Sequence, residues 1–128
     1  MSARLTLLSA ALLGALAVCL GAFAAHGLRD QLSSRMLEVF QTGVTYQFYH
    51  VLALFGVGLL LQRQDRPLLR VSAALFLTGM LLFCGSLYLL VATGVHYLGM
   101  VTPVGGVLMI LGWLTLAGAV FKALPVNS

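Results

Sequence analysis

The stretch TGVTYQFYHVLALFGVGLLLQ, residues 42–62, decides the fold class of this chain because it contains no Lys, Arg, Asp or Glu. A transmembrane helix needs about 20 predominantly apolar residues. Over all 128 residues the hydrophobic fraction is 61%, the charged fraction is 8% and the mean hydropathy is +1.06. Soluble domains carry roughly 25% charged residues. A chain so poor in charge cannot cover its surface in water, which excludes an ordinary soluble domain.

Three further runs are long and apolar enough to cross a membrane. Together they predict an all-α integral membrane protein with a single transmembrane domain over residues 1–128. We expect a four-helix bundle with helices at about 5–26, 39–62, 71–94 and 98–121. Small residues recur at seven-residue intervals, as at Gly105, Gly112 and Ala119. Such residues allow membrane helices to approach closely, and they predict packing seams.

The connection between the first two spans has its own pattern. Leu28, Leu32, Met36 and Phe40 recur every fourth residue among charged and polar neighbours. This spacing favours a short amphipathic helix lying at the membrane interface, over about residues 27–38.

Basic residues predict the orientation. The side that carries the N-terminus holds five basic residues and the opposite side holds two: Arg4, Arg63, Arg66, Arg70 and Lys122 against Arg29 and Arg35. The positive-inside rule therefore places both termini in the cytoplasm, in a multi-pass protein of the bacterial cytoplasmic (inner) membrane. Residues 22–24, AFA, imitate a signal cleavage site, but the apolar run exceeds a signal core, so we expect an uncleaved first span.

Polar residues within the second span form the candidate site. On a helix, Tyr46, Gln47 and His50 fall on one face. Polar groups in hydrocarbon need partners, and we expect Ser86 and Tyr88 of the third span to supply them. Two interpretations stay open: structural hydrogen bonds between helices, or a small hydrated pocket in which His50 carries a proton or binds a ligand. We expect the His50 ring inside the bundle, facing the third or first helix.

A second candidate site lies at the outer interface, at His26 and Thr102. His26 ends the first span and Thr102 opens the fourth, where ordinary helix capping and initiation are the alternative interpretation. Cys19 and Cys84 lie within apolar runs and predict packed thiols. The spacing of His, Cys and Glu residues predicts neither metal nor haem, and no cofactor is expected. No nucleophile with a neighbouring base occurs, so we do not expect an enzyme. The chain has no basic run of the kind that binds nucleic acid, so we expect no nucleic-acid partner.

The chain resembles one family through motifs in a specific order: GAFAAHGL (21–28), TGVTYQFYHVLAL (42–54), CGSLYLL (84–90), LGMVTPVGG (98–106) and GW (112–113). These are similar to the small bacterial membrane proteins of domain-of-unknown-function family 423, which includes eukaryotic proteins similar to transmembrane protein 256. Ala24 replaces an expected glycine and Cys84 an expected serine. The resemblance implies a four-helix membrane protein and no established activity. The residues of this chain that match the family's motif positions are His26, Tyr46, Gln47, His50, Ser86, Tyr88, Thr102 and Pro103.

Two functional hypotheses follow. The first is an accessory or structural membrane protein that binds a larger complex or lipid through its small-residue seams. The alternative is a small oligomeric transporter or channel that uses the polar face around His50. The expected partners are membrane lipid, together with a larger membrane complex or further copies of the chain.

Overall fold

The computed structural model describes residues 1–123, which form four long helices and no strand within that range. They are α1 (Ala3–Phe23), α2 (Ser34–Arg63), α3 (Pro67–Thr93) and α4 (Thr102–Ala123). A π-helical turn, Ala24–Leu28, prolongs α1, and a 3₁₀ turn, His96–Met100, precedes α4. All four helices are long and apolar enough to cross a membrane. The prediction of an all-α protein with four candidate spans is confirmed.

Local sequence sets the helix ends. The Ser33 hydroxyl accepts a hydrogen bond from the Met36 amide at 3.1 Å, which caps the start of α2. Pro67 opens α3 in the first-turn position, where its missing N–H costs little. Gly94 closes α3 with φ 71°, a left-handed conformation that glycine adopts readily.

The structure forms no separate interfacial helix over residues 27–38. Leu28 belongs to the π-helical turn, residues 29–33 form a turn, and Ser34 already begins α2. The four-residue stripe is therefore divided: Leu28 ends the first span, Leu32 lies in the turn, and Met36 and Phe40 belong to α2. Its ends, Leu28 and Phe40, pack into one small core with Ala24. The stripe reflects contact between the end of α1 and the start of α2, and that part of the fold prediction is not supported.

A seam with a seven-residue step joins α1 to α2. A Cβ added to any of its three glycines would meet a side chain of the facing helix at 2.6–3.4 Å. The facing pairs are Gly14 with Val51, Gly21 with Val44, and Gly58 with Leu7. The two helices are antiparallel, so each step of seven along one helix matches a step of seven along the other.

A second seam joins α3 to α4. A Cβ on Gly79 would lie 2.8 Å from the Gly105 carbonyl oxygen, so the two backbones are in direct contact. Further along, the buried Ser72 hydroxyl donates to the Gly112 carbonyl at 2.9 Å. The helices thus pack chiefly in chain order, α1 on α2, α2 on α3 and α3 on α4. The largest buried side chain is Phe76, near the middle of this stack.

Hydrogen bonds fix the α2–α3 connection, which lies at the same end of the bundle as the N-terminus. The Arg70 side chain hydrogen-bonds the Asp65 carboxylate and thereby lowers the pKa of that carboxyl. The Arg66 guanidinium donates through Nη1 to the Ala119 carbonyl at 2.9 Å. This bond joins the connection to the last turns of α4.

Candidate functional site

Gln47 lies at the centre of the bundle and links three helices. Its side chain is only 2% exposed. Nε2 donates to the Leu13 carbonyl of α1 at 2.8 Å, and Oε1 accepts from the Tyr88 hydroxyl of α3 at 2.7 Å. The predicted pairing of this face with Tyr88 is present. The Leu13 carbonyl, a backbone partner on α1, was not foreseen.

His50 lies one turn further along α2 and is 5% exposed. Its Nε2 lies 3.1 Å from the Trp113 indole nitrogen, and its Nδ1 lies 2.8 Å from the Tyr46 carbonyl oxygen. An indole N–H can only donate, so Nε2 must accept. Nδ1 then carries the proton and donates to Tyr46. Both ring nitrogens are therefore satisfied in one neutral tautomer.

The surroundings of the His50 ring are aromatic. The ring centroid of Phe76 on α3 lies 5.8 Å away and that of Trp113 on α4 lies 5.9 Å away. The ring thus faces the interior and α3, as expected, but its hydrogen-bond partner comes from α4. His50 lies near the middle of α2 and Trp113 near the middle of α4, so the pair lies deep within the predicted membrane-spanning region.

This arrangement bears directly on proton transfer. A protonated imidazole donates from both nitrogens and cannot accept from Trp113. Taking up a proton would therefore break the His50–Trp113 hydrogen bond and leave the indole N–H without its acceptor. A donor without a partner is costly in hydrocarbon, where no water can replace the lost acceptor.

Ser86 does not join the Gln47 and His50 group. Its hydroxyl lies 2.5 Å from the Thr102 hydroxyl and donates to the Phe83 carbonyl at 2.9 Å. The expected pairing of Ser86 with the α2 face is thus replaced by a bond between α3 and α4. Because Thr102 starts α4, this bond fixes the beginning of that helix against α3.

Of the remaining predicted residues, Tyr46 contacts this cluster at the edge of the bundle, whereas His26 and Thr102 lie outside it. Tyr46 is 40% exposed, and its ring packs on Phe83 at a centroid distance of 4.8 Å. It contributes its backbone carbonyl to His50. His26 is exposed in the π-helical turn, and no hydrogen bond links it to Thr102. The two proposed members of the outer site are therefore not joined.

The polar groups of the span form closed pairs. Within residues 1–123, every buried side-chain nitrogen or oxygen has a hydrogen-bond partner. Two clefts in the described part of the chain lie elsewhere: one near Arg66 and one near Arg35 and Glu38. Neither is lined by Gln47 or His50. In the same described range, no group of three His, Cys, Asp or Glu side chains could hold a metal ion.

Trp113 is the functional-site residue that sequence reasoning missed. It is the single tryptophan of the chain and is 46% exposed, near the middle of α4. Tryptophan is usually enriched at membrane interfaces, and its N–H needs an acceptor when it lies in hydrocarbon. A tryptophan in mid-span was thus a signal that a buried acceptor lies nearby.

Comparison with known proteins places the chain in a family. The model of the family described as "Protein of unknown function (DUF423)" matches residues 20–106. A UPF0382 membrane protein of Staphylococcus aureus is 42% identical over 121 residues, covering 93% of this chain and 97% of the relative. One from Haemophilus influenzae is 43% identical, covering 88% and 90%.

The Escherichia coli relative is named UPF0382 inner membrane protein YgdD and is 39% identical, covering 94% of this chain and 92% of its own length. No solved structure shows a significant match. The family match includes Gln47, His50 and Tyr88, whereas Leu13 and Trp113 lie outside its range. The chain therefore belongs to the DUF423 family of membrane proteins of unknown function.

Proposed function

We propose that this protein is an accessory or structural membrane protein that binds a larger membrane complex or lipid, and that it catalyses no reaction. The observation that carries the proposal is the closure of the buried polar groups into pairs within the chain. Gln47 joins three helices, and the hydrogen bonds of His50 and Ser86 reach α4. Such bonds stabilise helix association, and none of these groups is left free for a substrate.

The outer surface supports the same proposal. α1 packs mainly against α2 and exposes a row of leucines on its other side, among them Leu8, Leu12 and Leu16. Large apolar residues on a membrane helix meet either lipid or another protein in the bilayer. A bundle that is closed inside and apolar outside is suited to lateral contacts.

The transporter alternative has one observation in its favour, which is the titratable His50 deep in the span. Two features weigh against it. Protonation of the His50 ring would break its hydrogen bond with Trp113, and His50 lines neither of the two clefts described above. Four helices in one chain also leave little interior, so a pathway would need several copies.

The proposed setting is the cytoplasmic membrane with both termini on the cytoplasmic side. The support is the five-to-two excess of basic residues on the side of the N-terminus. Under this orientation, the α2–α3 connection with Arg66 lies on the cytoplasmic side of the membrane, and His26 lies on the opposite side.

Reconstitution separates the two hypotheses. The purified protein is placed in sealed vesicles containing a pH-sensitive dye, and a proton gradient and membrane potential are imposed. An accessory role predicts the same dye response as in protein-free vesicles and in vesicles with a His50→Gln variant. A protein-dependent flux that this variant abolishes would contradict the proposal and establish the transporter alternative.

A further inference from the structure

A cleft of about 280 Å³ lies where the C-terminal ends of α2 and α4 meet the start of α3. Its volume is close to the roughly 300 Å³ at which small-molecule sites begin. The apolar part of its wall consists of the exposed Leu60 and Val120 and the buried Leu69 and Ala119. These residues belong to three different helices. The cleft therefore lies at the end of the bundle that carries the N-terminus.

The polar part of the wall is positively charged. Arg63 and Arg66 both line the cleft, and among residues 1–123 no Asp or Glu side chain does. Asp65, the acidic residue of the same connection, lies beside Arg70 and is engaged in an ion pair with it. Asp65 therefore does not neutralise Arg63 or Arg66, and both guanidinium charges can interact with an anion.

Arg66 is held in position. Its Nη1 donates to the Ala119 carbonyl at 2.9 Å, which neutralises part of the negative end of α4. A guanidinium has five N–H donors in a rigid fork, so most of them stay free after this bond. Arg63 is exposed at the end of α2 and has no hydrogen-bond partner among residues 1–123. One arginine is fixed and the other can adjust to a ligand.

We propose that this cleft binds the phosphate of an anionic phospholipid, with the acyl chains lying over the exposed Leu60 and Val120. Guanidinium groups recognise phosphate by paired, charge-assisted hydrogen bonds. Long basic side chains reach the headgroup level from apolar surroundings. The described lining carries two positive charges and no Asp or Glu side chain, so it repels a choline headgroup, attracts the phosphate and selects a lipid with net negative charge. This inference rests on the proposed accessory role because it specifies lipid as a partner.

Native mass spectrometry of the full chain in mild detergent provides the test. The probes are dioctanoyl phosphatidylglycerol, dioctanoyl phosphatidylcholine, and glycerol phosphate without acyl chains. We expect phosphatidylglycerol to bind best and glycerol phosphate to bind far more weakly because it cannot use the apolar wall. Arg63→Gln should weaken phosphatidylglycerol binding about fivefold, the contribution of one basic residue near a charged membrane surface. Arg63→Lys should recover part of the loss.

The matched control is Arg4→Gln, which removes one charge from the same membrane face but outside the cleft. It should leave binding within twofold of the unmodified protein. Equal binding of the two lipids, or an equal loss in Arg4→Gln and Arg63→Gln, would overturn the proposal. Equally strong binding of glycerol phosphate would show a soluble phosphate site and would also overturn it. Proton flux in vesicles would refute the accessory role without changing this lipid selectivity, so the two failures are distinguishable.

Discussion

Replacing Gln47 by methionine tests whether the central hydrogen bonds hold the helices together. The variant loses two interhelical bonds, to the Leu13 carbonyl and the Tyr88 hydroxyl. Each interhelical bond in a membrane protein contributes about 0.6 kcal/mol on average and up to about 1.7 kcal/mol. Methionine has a similar length and adapts to its cavity, so packing is largely kept. We therefore expect a loss of about 1–3 kcal/mol in the free energy of unfolding.

The assay is reversible unfolding in mixed detergent micelles, followed by circular dichroism. The control is Gln62→Met, the same change on an exposed residue of the same helix, which should shift stability by less than about 0.5 kcal/mol. A double-mutant cycle of Gln47→Met with Tyr88→Phe isolates the bond between the two side chains and should give a coupling of about 0.6–1.7 kcal/mol. If Gln47→Met is as stable as the control, or if the coupling vanishes, the reasoning is refuted.

Three further predictions concern the α3–α4 seam, the His50 pair and the orientation. Gly105→Ala should cost about 1–3 kcal/mol of unfolding free energy because its Cβ would lie 2.7 Å from a backbone oxygen of α3. Gly106→Ala meets only a ring edge at 3.7 Å and should stay within about 0.5 kcal/mol; similar losses in both would contradict the seam. His50→Leu should lose about 0.6–2 kcal/mol of helix association, while His50→Gln keeps an acceptor for the Trp113 N–H. Indole resonance Raman spectra report that hydrogen bond. An unchanged signal in His50→Leu would contradict the His50–Trp113 hydrogen bond. A reporter fused after Ser128 should be active in the cytoplasm, and activity only in the periplasm would reverse the orientation.

Helix number was readable from the sequence because it depends on local properties. A helix in lipid satisfies its own backbone hydrogen bonds, so a long apolar run is sufficient to predict a span. Helix ends were less accessible. α2 begins at Ser34, five residues before the expected position 39, because Ser33 caps it there. The charge-free run marks the part of a helix that suits lipid, and α2 continues beyond it through Arg35 and Glu38.

The stripe of Leu28, Leu32, Met36 and Phe40 shows where a periodic pattern misleads. The spacing indicates one face of a helix, but it does not say whether one helix carries all four residues. In the structure, the break at residues 29–33 contains Leu32 and separates Leu28 of the first span from Met36 and Phe40 of α2. The contact of Leu28 and Phe40 with Ala24 is a tertiary feature, invisible in the local pattern.

The sequence by itself determined four apolar helices, the polar face of α2 and the glycine positions at seven-residue steps. Only the tertiary structure decided which helix lies opposite each polar group. Tyr88 was expected as a partner of the polar face of α2, but only the structure assigns it to Gln47. His50 instead meets Trp113 of α4, 63 residues further along the chain, and Ser86 meets Thr102. The physical reason is that lipid is as apolar as the helix surfaces, so hydropathy does not select a neighbour. Close contact at Gly14, Gly58, Gly79 and Gly105 sets the register between helices, and that register determines which polar groups meet.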